Sequence, residues 1–224
     1  MQFIISLFYK YYDKGTKKRN TLIHKVHELF FSSSILIYIF FSVKVSHKIS
    51  KESNFKNLKH KFDLTTILLK IIIKKYLKKD STVLEIGTGA FAVLSIFCSK
   101  ITNILVHATD INKDNVEKSL YNINYNRASV KVYHSNIFEN ISLKYDIIFW
   151  NLPYYYPKNE YLYPLLEKVH NHLNYNGFLI IGYNSNPLKE ADIISYLQKN
   201  NELEYYKTHK FKWNHHLISV IRKK

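Results

Sequence analysis

A Gly-x-Gly turn, formed by Gly87, Thr88 and Gly89, follows a strand-like apolar run. Because glycine has no side chain, such a turn between a strand and a helix lets the backbone approach a ligand closely. Dinucleotide-binding proteins wrap a pyrophosphate in this kind of turn, and Ala92 stands where they tolerate alanine for the third glycine. Glu85, however, stands two positions before Gly87, where a carboxylate would repel a pyrophosphate and attract a cation. The turn therefore predicts a cationic ligand, with an ordinary strand-to-helix connection as the alternative.

Asp110 lies 21 residues after Gly89, at the end of the next strand-like run. A carboxylate at that place can accept both ribose hydroxyls of an adenosine-containing ligand, which suits NAD and S-adenosyl-L-methionine equally. The positive amino and sulfonium groups of S-adenosyl-L-methionine agree better with Glu85. The alternative is that Asp110 caps the helix that begins near Asn112.

The tetrapeptide Asn151-Leu152-Pro153-Tyr154 follows a further buried strand, at the edge of the sheet where open α/β proteins bind ligands. Together with the glycine turn and Asp110, it resembles the class I S-adenosylmethionine-dependent methyltransferases that carry an [Asp/Asn]-Pro-Pro-[Tyr/Phe] motif. Those enzymes methylate planar nitrogens, such as base amino groups or the amide of glutamine. The resemblance implies that the Asn151 side-chain oxygen and the Leu152 carbonyl each accept one N–H, while the Tyr154 ring stacks on the planar group. Leu152 departs from the commonest proline but keeps that carbonyl.

Two branches of this family compete. The Asn-Leu-Pro-Tyr spelling is similar to that of rRNA adenine dimethyltransferases, whereas residues 62–69 and 110–138 resemble release-factor glutamine methyltransferases and their small-domain rRNA guanine and tRNA adenine relatives. We favour the second branch. Its pattern puts Asn136 where an acid usually accepts the adenine amino group, and Phe91 where a third glycine is common. By this resemblance the cofactor-binding residues are Glu85, Gly87, Thr88, Gly89, Asp110, Ile111, Asn136, Ile137 and Asn151, and the catalytic residues are Asn151, Leu152, Pro153 and Tyr154.

The elements that position these residues alternate regularly. From residue 62 onward, short apolar runs alternate with segments of helical length, and Thr65 or Asp63 could cap the first helix. This pattern predicts an α/β fold with a doubly wound, mainly parallel seven-stranded sheet, as in Rossmann-like methyltransferases. Two final runs, at residues 204–211 and 216–221, could close the sheet as an antiparallel hairpin.

The N-terminal part differs in composition. We predict a small appendage at residues 1–60, with a possible role in substrate recognition, and a methyltransferase domain at residues 61–224. The apolar run at residues 29–43 is shorter than the roughly 20 residues that a membrane-spanning helix needs. A buried strand or hairpin is the preferred interpretation, with a membrane-associating segment as the alternative, and no stable membrane insertion is expected.

The chain of 224 residues has a formal charge of +16, and it is rich in lysine. Such a charge favours a polyanionic partner only modestly. The single cysteine, Cys98, excludes an intrachain disulfide and indicates a reducing compartment, so we expect a cytoplasmic protein. The eleven histidines show no ligand spacing that predicts a metal site.

These observations predict an S-adenosylmethionine-dependent N-methyltransferase, an enzyme that needs no metal. Its first-choice substrate is an exocyclic amino group of a base in rRNA or tRNA. A glutamine of a release factor or ribosomal protein is the second choice. An RNA-binding scaffold on a decayed methyltransferase fold is the non-enzymatic alternative.

Overall fold

The computed structural model of the protein describes residues 34–46, 63–153, 158–211 and 215–224. Within these ranges, strands and helices alternate from residue 64 onward in the order that the apolar pattern predicted, although β5 begins at Leu173 and not at Phe178. The elements are α1 (Ser34–Phe41), α2 (Leu64–Tyr76), β1 (Val83–Ile86), α3 (Val93–Ser99), β2 (Val106–Asp110), α4 (Lys113–Tyr125), β3 (Val130–His134), β4 (Tyr145–Asn151), α5 (Lys158–His172), β5 (Leu173–Asn184), α6 (Glu190–Leu197), β6 (Leu203–Lys210) and β7 (His216–Lys223).

The strands of the described ranges form one seven-stranded sheet in the order β3-β2-β1-β4-β5-β7-β6. Strands β1 to β5 pair in parallel, and β7 lies antiparallel between β5 and β6. This arrangement confirms the predicted mainly parallel sheet and its closing hairpin. The strand order changes direction between β1 and β4, and open α/β sheets bind their ligands at the carboxyl ends of the strands beside such a point.

Both faces of the central strands are buried, as in other parallel sheets that carry helices on two sides. In β4, Ile147 and Phe149 belong to the core cluster that includes α2 and α3. The alternate residues Ile148 and Trp150 belong to the cluster that includes α5. A strand with two buried faces needs apolar residues at nearly every position, which explains the continuous apolar run that predicted β4.

Helix α2 begins at the carboxyl edge of the sheet. Its N-cap is Asp63, whose side chain accepts a hydrogen bond from the Thr66 backbone N–H at 2.8 Å, and this confirms one of the two predicted caps. The helix then packs closely on β5, since a Cβ atom at Gly182 would lie 2.5 Å from Cγ2 of Thr65. Gly182 is paired with Asn151 of β4, so this packing brings the start of α2 near the end of β4.

The prediction of a strand or hairpin at residues 29–43 is wrong for its described part, because Ser34–Phe41 form helix α1. Its buried residues Ile37, Phe40 and Phe41 are spaced three and four apart, as on one face of a helix. An apolar run this continuous shows neither the alternation of a strand nor the polar face of a surface helix. Its hydrophobic periodicity therefore could not distinguish a helix from a strand. Among the described helices, none is long and apolar enough to cross a membrane.

The segment after α1 is held by Asn122 of α4 and by Asn126, the C-cap of the same helix. Asn126 exchanges two hydrogen bonds with the backbone of Lys44, at 2.8 and 2.7 Å, and Asn122 Oδ1 accepts from the Ser46 backbone N–H at 3.1 Å. Residues 34–46 are therefore fastened to the α/β domain. The rest of the predicted appendage, at residues 1–33 and 47–60, lies outside the described residues.

Candidate active site

The turn after β1 has a left-handed backbone at both glycines, with φ of +64° at Gly87 and at Gly89. Their surroundings differ. A Cβ atom at Gly87 would lie 2.7 Å from Nε1 of Trp150, whereas one at Gly89 would meet no described heavy atom within 4 Å. Gly87 therefore packs the turn against β4, and Gly89 leaves open space that a ligand can enter.

Glu85 is buried beneath this turn. Its Oε2 atom accepts hydrogen bonds from Thr88 Oγ1 and from the Ser95 backbone N–H, both at 2.9 Å, and from the Ser95 hydroxyl. Burial raises the pKa of Glu85 to about 7, although the three hydrogen bonds oppose the rise. These contacts join the turn to α3. The proximity of Glu85 to a cationic ligand stays a prediction.

Asp110, at the end of β2, is hydrogen-bonded to the glycine turn. One carboxylate oxygen accepts from the Gly89 backbone N–H at 2.8 Å, and the other accepts from Asn112 N at 2.9 Å and Asn115 Nδ2 at 3.3 Å. The alternative interpretation of Asp110 as a helix cap is wrong, because Asn112 is the N-cap of α4 and accepts from Asp114 N. Asp110 instead connects the ends of β1 and β2.

The predicted residues after β3 lie beside Asp110. The Ser135 backbone N–H donates to the Asp110 carbonyl at 3.0 Å, and the exposed Asn136 follows directly. Ile137 is buried and has a φ of +51°. Ile111, on the other side of Asp110, is 58% exposed.

Asn151 ends β4 on the same edge of the sheet. Its Nδ2 atom donates to both carboxylate oxygens of Asp63, at 3.1 and 3.3 Å, and to Thr66 Oγ1 at 3.3 Å. Its Oδ1 atom is buried and has no hydrogen-bond partner within the described residues. A buried acceptor without a partner is uncommon, because it forfeits the hydrogen bonds that it makes with water.

The other three residues of the Asn-Leu-Pro-Tyr motif follow Asn151 at the end of β4. Leu152 is buried, and its backbone N–H donates to the Gly182 carbonyl at 2.8 Å, which holds the chain in line with β5. Pro153 is partly exposed. Tyr154 lies outside the described residues, so its predicted stacking role stays a prediction.

The structure thus brings residues from β1, β2, β3 and β4 to one edge of the sheet, as the parallel order requires. Sequence reasoning did not assign Asp63 and Thr66 to this site. The sequence indicated only that Asp63 could cap a helix. Nothing in the local sequence shows that this cap contacts the end of a strand 88 positions away.

A model of the methyltransferase small domain matches residues 57–212. The chain belongs to the methyltransferase small domain family. Membership confirms the resemblance to class I S-adenosylmethionine-dependent methyltransferases that was based on the three motifs, and with it the predicted cofactor of the family.

Sequence alignments with individual relatives cover smaller parts of this chain than the family model does. A ribosomal protein L11 methyltransferase of Thermosipho melanesiensis is 32% identical over 117 residues, which are 52% of this chain and 43% of the relative. A protein of Methanocaldococcus jannaschii, provisionally named a protein N5-glutamine methyltransferase, is 34% identical over 97 residues, or 43% of this chain and 46% of the relative. The chain therefore spans less than half of these curated relatives. The crystal structure of a methyltransferase from Pyrococcus furiosus has a TM-score of 0.65 at 22% identity and covers 91% of this chain and 98% of its own.

The site of this methyltransferase family member fits S-adenosylmethionine. Space is open at Gly89, where a Cβ atom would meet no described heavy atom within 4 Å. A carboxylate offers about four acceptor positions, and Asp110 uses three of them, the weakest to Asn115. A ribose hydroxyl can therefore be accepted there. The exposed Ile111 offers an apolar surface beside it for a planar base. No group of three potential metal ligands occurs in the described ranges.

Replacing Asp110 by asparagine is expected to weaken the binding of S-adenosylmethionine about 10- to 100-fold, the effect of one charge-assisted hydrogen bond. The control is Asp114→Asn, which removes the exposed partner of Lys118 in the first turn of α4. Calorimetric titration with S-adenosylhomocysteine measures both variants. Equal affinity for Asp110→Asn and the unaltered chain would show that Asp110 holds no ribose.

The buried Glu85 is expected to make stability depend on pH. Its pKa is raised from 4.5 to about 7 in the folded chain, so the folded state retains a proton that the unfolded state has lost between these values. Stability should therefore fall as pH rises through this window, by up to roughly 3 kcal/mol, and level off above it. Urea unfolding from pH 5 to 8 measures this, and Glu85→Gln, which stays neutral and keeps an acceptor oxygen, should lose that slope. Parallel pH curves for both chains would contradict the assignment.

Proposed function

We propose that this protein is an S-adenosylmethionine-dependent N-methyltransferase that acts on a planar nitrogen. The observation that supports this most is the Asn151 side chain. Its Nδ2 atom donates to Asp63 and Thr66, and its Oδ1 atom is buried and has no hydrogen-bond partner in the part of the chain that the structure describes. An amide oxygen held in this way is ready to accept an N–H from a substrate.

The residues of this chain would act mainly by positioning and electrostatics. The nitrogen of an amide or a base amino group is a weak nucleophile, because its lone pair is delocalised. Asn151 Oδ1 and the Leu152 carbonyl would each accept one N–H, which holds the nitrogen with its lone pair turned out of conjugation. Bound S-adenosylmethionine would supply an electrophilic methyl group on its sulfonium. As the N–C bond forms and the S–C bond to the methyl group breaks, with S-adenosylhomocysteine as the leaving group, positive charge would develop on the nitrogen. The two oxygens would stabilise this charge until the proton leaves to solvent.

An RNA base is the first choice for the acceptor. The formal charge of +16 suits a polyanion, and residues 1–60 carry 11 basic side chains against 3 acidic ones. We assign selection of the RNA to this N-terminal part and transfer to residues 61–224. A phosphate backbone bound there would place an extruded base at Asn151.

A protein glutamine is the second choice. The relative from Methanocaldococcus jannaschii, provisionally named an N5-glutamine methyltransferase, favours it. The relative from Thermosipho melanesiensis has a ribosomal protein as its named substrate, which favours a protein without specifying the residue. A glutamine side chain presents the same planar NH₂ group to Asn151 as a base amino group does.

The test uses tritiated S-adenosylmethionine with separated RNA and ribosomal protein fractions. Label in RNA, recovered as an N-methylated nucleoside after nuclease digestion, would support the first choice. Label in protein, recovered as N5-methylglutamine, would support the second. Label in neither fraction would overturn the proposal and leave the RNA-binding scaffold, which predicts RNA affinity that Asn151→Ala does not change.

A further inference from the structure

The cap of helix α2 is part of the environment of Asn151. Asp63 Oδ1 accepts hydrogen bonds from the Thr66 backbone N–H at 2.8 Å and from the Thr66 hydroxyl at 2.6 Å. The same carboxylate accepts from Asn151 Nδ2 through both of its oxygens, at 3.1 and 3.3 Å. One carboxylate therefore begins a helix and binds the side chain that ends β4.

This contact determines which way the Asn151 amide faces. A carboxylate only accepts hydrogen bonds, so it attracts the NH₂ group and repels the carbonyl oxygen. A flipped amide would put Oδ1 against the two oxygens of Asp63, where Nδ2 now lies, and would turn two N–H donors toward the acceptor site. In the observed orientation Oδ1 has no partner within the described residues and is left for a substrate.

The neighbouring His216 is also influenced by this carboxylate. Its ring Nδ1 is hydrogen-bonded to Thr65 Oγ1 at 2.6 Å. Burial lowers the pKa of His216, and the Asp63 carboxylate opposes that shift in part. The contact of Asp63 with Asn151 is direct, through the two hydrogen bonds from Nδ2.

From this geometry we infer that Asp63 is a positioning residue for methyl transfer, with Thr66 holding it in place. Asp63 keeps the Asn151 amide in the accepting orientation, and its charge polarises the amide so that Oδ1 becomes a stronger acceptor as positive charge develops on the nitrogen. This inference rests on the proposed function of Asn151. It adds a residue that would act through another and would not touch the substrate itself.

An exchange of the two side chains tests it. In Asp63→Asn, the new amide can donate to Asn151 Oδ1 and flip it, so kcat should fall about tenfold or more. In Asn151→Asp, two carboxylates face each other and kcat should fall as well. In the double variant Asp63→Asn/Asn151→Asp, residue 63 donates and residue 151 accepts, so kcat should be about tenfold above that of Asn151→Asp. A merely structural cap would show no such rescue.

The measurements separate this inference from the proposed function. Values of kcat and KM are obtained with tritiated S-adenosylmethionine and whichever fraction, RNA or ribosomal protein, the unaltered chain labels. Asp146→Asn is the matched control, since Asp146 is also hydrogen-bonded, to Thr82 and Asn174, but lies at the opposite end of β4. It should lower stability and leave kcat unchanged.

A second readout does not need turnover. In ¹H–¹⁵N spectra, the side-chain NH₂ signals of Asn151, identified by their loss in Asn151→Ala, should shift in Asp63→Asn and keep their positions in Asp146→Asn. Unchanged signals, an unaltered kcat in Asp63→Asn or a double variant no better than Asn151→Asp would overturn the inference alone. Failure of the unaltered chain to label either fraction would overturn the proposed function and, with it, the catalytic role of Asp63.

Discussion

Asn151→Ala is expected to lower kcat by on the order of 10²- to 10³-fold, the usual effect of removing one group that stabilises developing charge. The variant removes the buried Oδ1 atom that has no partner in the described chain. It leaves the cap of α2 in place, since Asp63 still accepts from Thr66. The affinity for S-adenosylmethionine should change at most about tenfold, the effect of one hydrogen bond.

Single-turnover measurements with radiolabelled cofactor give the rate of transfer, and calorimetry gives the affinity. Asn174→Ala serves as the control, because Asn174 also makes a side-chain amide hydrogen bond, but to Asp146 at the far end of β4. It should leave the transfer rate close to that of the unaltered chain. A transfer rate within threefold of the unaltered value in Asn151→Ala would contradict the role of this residue.

Gly87→Ala and Gly89→Ala are expected to fail in different ways. Both residues have a φ of +64°, so the strain of a left-handed alanine, roughly 1 kcal/mol, is the same for each. At Gly87 the new Cβ would also lie 2.7 Å from Trp150 Nε1, which forces the turn or the indole to move. We expect this variant to lose about 2–4 kcal/mol of stability in total.

Gly89→Ala should stay folded and lose cofactor binding. Its Cβ would meet no described atom, so it would only fill the space that the turn leaves open for a ligand. Urea unfolding compares the two variants, and calorimetry measures S-adenosylhomocysteine binding, which should weaken at least about tenfold in Gly89→Ala. Equal stabilities for the two variants would show that the Trp150 side chain can move away from the new Cβ atom without loss of stability. Unchanged cofactor affinity in Gly89→Ala would show that the turn does not contact the cofactor.

The sheet and the gathering of the site residues could be predicted because both follow from short-range patterns. Continuous apolar runs mark strands that are buried on two faces, and their parallel order puts the segments after β1, β2, β3 and β4 at one edge. Gly89, Asp110 and Asn151 each directly follow or end such a strand. Their types and positions predicted a nucleoside site, and the family resemblance added the role of Asn151 as an acceptor of N–H groups, which stays a prediction.

The interactions that tune the site could not be predicted, because they join residues far apart in the chain. The contact of Asp63 with Asn151 depends on how closely α2 packs on Gly182, and that packing is not encoded in either local segment. Glu85 was assigned by its position, whereas its hydrogen bonds to Thr88 and Ser95 depend on where α3 begins. Helix α1 was misassigned because its apolar run has no readable period.

The burial of α1 has a consequence for where the protein can be cut. The match to the family begins at residue 57, yet Ile37, Phe41 and Val43 are completely buried in the same cluster as α2 and α3. The region that the family model matches is therefore smaller than the unit that shares this hydrophobic core. Expression limited to the matched region would leave apolar surface of α3 without its cover, so we expect that a soluble fragment has to begin before α1.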